Sequence, residues 1–119
     1  MNADFRTTLT DSIISNLSAW EKVQQDRDLG GIALSGHPFV VAQADCSMAL
    51  RIEGCAAIPV MATPSACGGI LGSTQMTREN AERIAALRGD GYVVVPVREI
   101  ADRRIAALRE SLEMLRQLS

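Results

Sequence analysis

The feature that most constrains this chain is its last third, Tyr92 to Leu118. Tyr92-Val93-Val94-Val95-Pro96-Val97 follows Gly91 as a short run of mostly β-branched residues, which is strand composition. From Arg98 the period becomes helical and stays so to Leu118. Ala101, Ile105, Leu108, Leu112 and Leu115 fall at steps of four, three, four and three. That is an a/d seam, the spacing with which a helix lays a narrow apolar stripe against another helix. Met114 and Leu118 lie beside the seam and widen it toward the end. A helix of this length spans about 30 Å, whereas a six-residue strand reaches only about 20 Å. The last two turns are therefore expected to overhang the chain's own sheet and to offer apolar surface to a partner. Self-association through Ala101, Ile105, Leu108, Leu112, Leu115 and Leu118 is the expectation, because two-fold homo-oligomers are the commonest solution.

Upstream, the periodicity predicts a helix from about Thr10 to Gln25, with Thr8, Thr10 and Asp11 as credible caps. Ile13, Leu17 and Trp20 stack on one face of it, so the only tryptophan reads as core. From Ile32 to Thr63 the period becomes that of strands. Ile32–Leu34, Phe39–Gln43, Met48–Ile52 and Cys55–Ala62 form an antiparallel meander, with Ser35-Gly36-His37-Pro38 and Glu53-Gly54 as turns. Pro59 lacks an N–H, which places its strand at an edge or at a bulge, and Pro96 requires an edge or strand-end position in Tyr92–Val97. Residues 63–75 read as a long irregular loop. A second helix, Arg78–Arg88, is capped by Thr77 and stopped by Gly89-Asp90-Gly91. Its apolar face comprises Ala81, Ile84, Ala85 and Leu87 or Arg88.

The expected architecture is therefore a single α+β domain over 1–119. A helix within 1–28 precedes a meander of three to four strands in 32–63, and helix-strand-helix over 77–118 ends in the long amphipathic helix. The helices are expected on one face of the sheet. At 119 residues the chain can bury one core, and with 3% aromatic residues that core must be aliphatic.

Composition narrows function more by exclusion than by indication. A formal charge of -2 without blocks of like charge argues against nucleic-acid binding. No apolar run is long enough for a membrane span, and the first residues carry no signal core. Three cysteines, an odd and irregularly spaced set, suit a reduced cytoplasmic protein better than a disulfide framework.

No motif commits to a chemistry. Gly68-Gly69-Ile70-Leu71-Gly72-Ser73 has the look of a phosphate-cradling turn. It lacks the lysine of a Walker loop and the spacing of a dinucleotide fingerprint. Cys46, Cys55, Cys67 and His37 could supply four metal ligands, but no two stand at paired zinc spacing, so no metal and no cofactor is expected. Cys55 reads as a small buried hydrophobe, and Cys67 as the one exposed thiol, a nucleophile only if His37 were beside it. A small protein of this character resembles in kind the accessory and inhibitor proteins carried by phages and other mobile elements. The expected function is a non-enzymatic, self-associating protein-binding module, with inhibition of a host defence complex as one such role. One alternative is an oligomer that sequesters a nucleotide or other anion at Arg51, Gly68, Gly69, Arg78 and Arg104. The other is a thiol enzyme using Cys67.

Overall fold

Apolar residues alternate sides along the central strands, and each side of the sheet has its own helical cover. The computed structural model describes residues 3–26, 38–64, 70, 71 and 73–118. Within them, α1 (Ala3–Asp26) is followed by β1 (Phe39–Gln43), β2 (Met48–Glu53), β3 (Ala56–Met61) and the two-residue strands β4 (Thr63–Pro64) and β5 (Ile70–Leu71). Then come α2 (Arg78–Arg88), β6 (Tyr92–Pro96) and α3 (Ile100–Gln117), the last entered through a 3-10 turn at Val97–Glu99. This is the α+β order that the periodicities predict. The expected first strand, Ile32–Leu34, and His37 lie outside the described residues.

The four-stranded sheet runs β3-β2-β1-β6 and is antiparallel throughout. Both edge strands carry a proline, Pro59 within β3 and Pro96 at the end of β6, as the missing N–H requires. Val40, Ala42, Ala49 and Val95 turn to one face, where Trp20 and Val23 of α1 and Ile100, Ile105 and Leu108 of α3 bury them. Val41, Leu50 and Tyr92 turn to the other face, under Met76 and Ala81 with Ile84 and Ala85 of α2.

The structure thus corrects the expectation of helices on a single face. β1 and β6 place valines on both faces, Val40 and Val95 on one and Val41 and Val94 on the other, so both faces need cover. It also moves the start of the first helix from Thr10 to Ala3. Thr8, Thr10 and Asp11 therefore lie inside the helix and do not cap it, and Thr7 donates its hydroxyl to the Ala3 carbonyl one turn back (3.0 Å). The N-cap of α2 is where the sequence puts it: Thr77 Oγ1 accepts from the Asn80 N–H at 3.3 Å.

β1 and β2 are neighbours only near their connecting turn, where Ala42 faces Ala49. Beyond that point a later piece of chain lies between them. Thr74 donates its N–H to the Leu50 carbonyl (3.1 Å) and accepts from the Ile52 N–H on its hydroxyl (2.8 Å). Met76 exchanges two backbone bonds with Phe39 on β1, at 2.7 and 3.1 Å. Residues 74–76 therefore satisfy backbone groups that a plain hairpin would have paired. Within the predicted 63–75 loop, β4 also pairs with β5.

Candidate functional site

α1 and α3 pack antiparallel along their length. Gln24 Nε2 donates to Asp102 Oδ1 at 2.6 Å, joining the end of α1 to the start of α3. At the other end Arg6, Thr10 and Ile14 of α1 line a groove of about 260 Å³ with Leu112, Leu115 and Arg116 of α3. The a/d seam lies inside this pair. Ala101, Ile105, Leu108 and Leu115 are buried in the core with Ile13, Trp20 and Val23, and Leu112 packs against them. The partner helix that the spacing requires is therefore α1 of the same chain. This buries four of the six expected oligomerisation residues, half-buries Leu112 at the groove and leaves Leu118 68% exposed.

The overhang itself is present. α1 has 24 residues and so runs about 36 Å, well past strands of at most six residues. Its sheet-facing side can be located from the arginines of α3. Arg103 donates to the Ala44 carbonyl at 3.1 Å and Arg104 to the Asp45 carbonyl at 3.3 Å, both in the β1–β2 turn. The stripe flanked by these two side chains comprises Ile100, Ala107, Ser111, Met114 and Leu118 at helical spacing. Its first member, Ile100, is 1% exposed, whereas Met114 is 59% and Leu118 68% exposed. One face of one helix thus begins as core and ends as bare apolar surface, because the sheet stops beneath it. Phe5, also 59% exposed, is at the same end, beside Arg6.

The turn that receives the two arginines is built for rigidity. Asp45 accepts from the Ser47 N–H (2.9 Å) and from its hydroxyl (2.7 Å). The Ser47 backbone bond is the main reason its carboxyl is held below the ordinary carboxylate range. Cys46 follows with φ 59 and a buried side chain. Burial pushes its thiol up to about 11, so at neutral pH it is an unreactive apolar group. Cys55 does the opposite of what its apolar neighbours suggest. It is exposed, because it completes the β2–β3 turn behind Gly54 (φ 59) instead of entering the strand. Iodoacetamide at pH 8 is therefore expected to alkylate Cys55 in the native protein and Cys46 only after denaturation, as peptide mass spectrometry would show. The raised Cys46 value also has a stability sign. Unfolded thiol ionises from its ordinary 9.0 while the folded one stays neutral to about 11. Stability should accordingly fall across that interval, and less so in Cys46→Ala.

The three arginines proposed for an anionic ligand are not gathered at one place. Arg51 pairs with Glu53 (3.0 Å), Arg78 stacks on the Phe39 ring (5.0 Å), and Arg104 holds the Asp45 carbonyl. Arg78 belongs to the α2 layer and Arg104 to the α1/α3 layer, so one ligand on one chain cannot reach both. Gly68, Gly69 and Cys67 lie outside the described residues. Among the described residues, no three His, Cys, Asp or Glu side chains converge as metal ligands, and no helix is long and apolar enough to cross a membrane. Compared with known proteins, the chain matches no family model, no curated sequence and no solved structure, so its surface must be interpreted from its own residues.

Proposed function

We propose that this protein is a non-enzymatic binding module that associates with itself through the projecting end of the α1/α3 hairpin. The observation that carries this is the α3 stripe that is buried at Ile100 and bare at Met114 and Leu118. An apolar stripe that continues past its own sheet gains most by covering an identical stripe, since a two-fold contact buries every such residue twice. The flanks suit that geometry. Glu113 and Arg116 pair at 3.7 Å on the outer side, whereas Ser111 beside the bare residues is small and neutral. Two hairpins meeting in this way would form a short four-helix bundle, with the sheets at its two ends.

Sedimentation equilibrium on the purified chain tests the reading directly. The parent protein should show a concentration-dependent dimer. The double substitution Met114→Glu with Leu118→Glu should shift the dissociation constant by roughly a hundredfold or more, as loss of two central apolar anchors would. Both side chains are exposed, so the thermal melt of the isolated subunit should stay within a few degrees. A parent protein that remains monomeric at the highest attainable concentration would remove the proposal.

A further inference from the structure

We propose a second, independent interaction surface: the groove along α2 captures an acidic, apolar peptide segment of a partner protein. Two clefts of about 370 and 420 Å³ lie end to end between α2 and the β2–β3 region. They share Ile52 and Ile84 in their linings, so they adjoin as one furrow. Ala57 and Leu87 continue the apolar lining at one end. Leu87 is 82% exposed, although the helical period of α2 offers Leu87 or Arg88 for its apolar face. Among the described residues, Leu87 belongs to neither core cluster.

Charge selects the occupant. Arg88 lines one cleft and Arg83 the other, and no carboxylate among the described residues lines either. Arg83 touches Glu79 only at 3.7 Å with both side chains largely in solvent, a contact that a better-placed carboxylate can replace. Arg88 lies over the Tyr92 ring at 5.2 Å, which fixes its plane while leaving its N–H edge for a second partner. A furrow with an apolar floor and a guanidinium toward each end is complementary to a segment with apolar residues in its middle and Asp or Glu at its flanks. The lining positions Asn80, Ile84 and Arg88 are successive turns of α2, so the furrow is about 12 Å long, enough for two turns of a bound helix. Both clefts are open along their length, which suits a peptide better than a small ligand that must be largely enclosed.

The test uses the full chain as bait for a random dodecapeptide display library, followed by anisotropy titration of the enriched peptides after resynthesis. Enriched sequences should carry two apolar residues three or four positions apart, flanked by carboxylates. Their affinity should fall roughly tenfold or more for Leu87→Glu, and likewise for Arg83→Glu with Arg88→Glu. All three side chains are exposed, and an unchanged melt would show that the fold is intact. The Met114→Glu, Leu118→Glu protein should bind these peptides normally, which separates this surface from the self-association surface. Failure to enrich any peptide, enrichment without carboxylates, or undiminished binding to Leu87→Glu would overturn the proposal. So would saturable binding of decanoate that Leu87→Glu abolishes while no peptide binds, since the occupant would then be a small amphiphile. A change in subunit number caused by Leu87→Glu alone would make it a second copy, and would equally overturn the proposal.

Discussion

Trp20→Ala should remove a large fraction of this protein's stability. The indole is 2% exposed and lies where α1 crosses the sheet, in one cluster with Val40, Val95 and Ile105. Removing a buried tryptophan costs about 3–5 kcal/mol, because transfer free energy and an unfilled cavity add. A domain of this size has a total stability of about 5–15 kcal/mol, so the loss is a large fraction of the whole. The expected drop in melting temperature is roughly 10–25 °C. Circular dichroism is the right probe, since the substitution deletes the only tryptophan and with it the intrinsic fluorescence signal. Trp20→Phe should recover a good part of the loss, because the site rewards apolar volume. A fall of only a few degrees for the alanine variant would mean that α1 is not part of the folded core.

Leu115→Asp and Leu118→Asp, three positions apart, should behave in opposite ways. Leu115 is 8% exposed and packs within the α1/α3 seam, so an aspartate there must either bury a charge or break the seam. The expected cost is about 3–5 kcal/mol, read as a lowered urea midpoint. Leu118 is 68% exposed, and the same substitution should alter the stability of the isolated subunit by about 0.5 kcal/mol or less. Its effect should instead appear in the subunit number. The pair therefore separates core from interface: equal stability losses would place Leu118 in the core, and equal indifference would take Leu115 out of it.

Much of the architecture is legible in the residues because local rules and the global fold agree. Pro59 and Pro96 cannot donate to a ladder, and both occur in edge strands. Thr77 caps α2 through a side-chain bond that needs no tertiary information. The a/d spacing correctly announces that α3 packs against a helix. What it does not carry is which helix, because a seam has the same period whether its partner is α1 or a second copy. The two-sided cover of the sheet was written in the consecutive valines of β1 and β6, whose lack of alternation signals burial on both faces. Cys55 was misplaced since its apolar neighbours Ala56 and Ala57 extend the strand pattern backwards into the turn. The insertion of residues 74–76 beside Leu50 has no local signature at all. It is a long-range pairing that a threonine hydroxyl and an ordinary backbone happen to satisfy.

That insertion has a consequence for the time course of folding. β2 and β3 are joined by a tight turn and can zip on their own within microseconds. β1 cannot complete its side toward β2 until residues 74–76 arrive, nor its other side until β6 is in place. The α1 stripe waits longest, because its partner α3 comes latest among the described elements. During synthesis, Ile13, Leu17 and Trp20 would therefore lack their final cover until α3 has left the ribosome. The rate of acquiring the native core should be set by these late, distant closures, and the nascent chain is most open to aggregation just before α3 emerges.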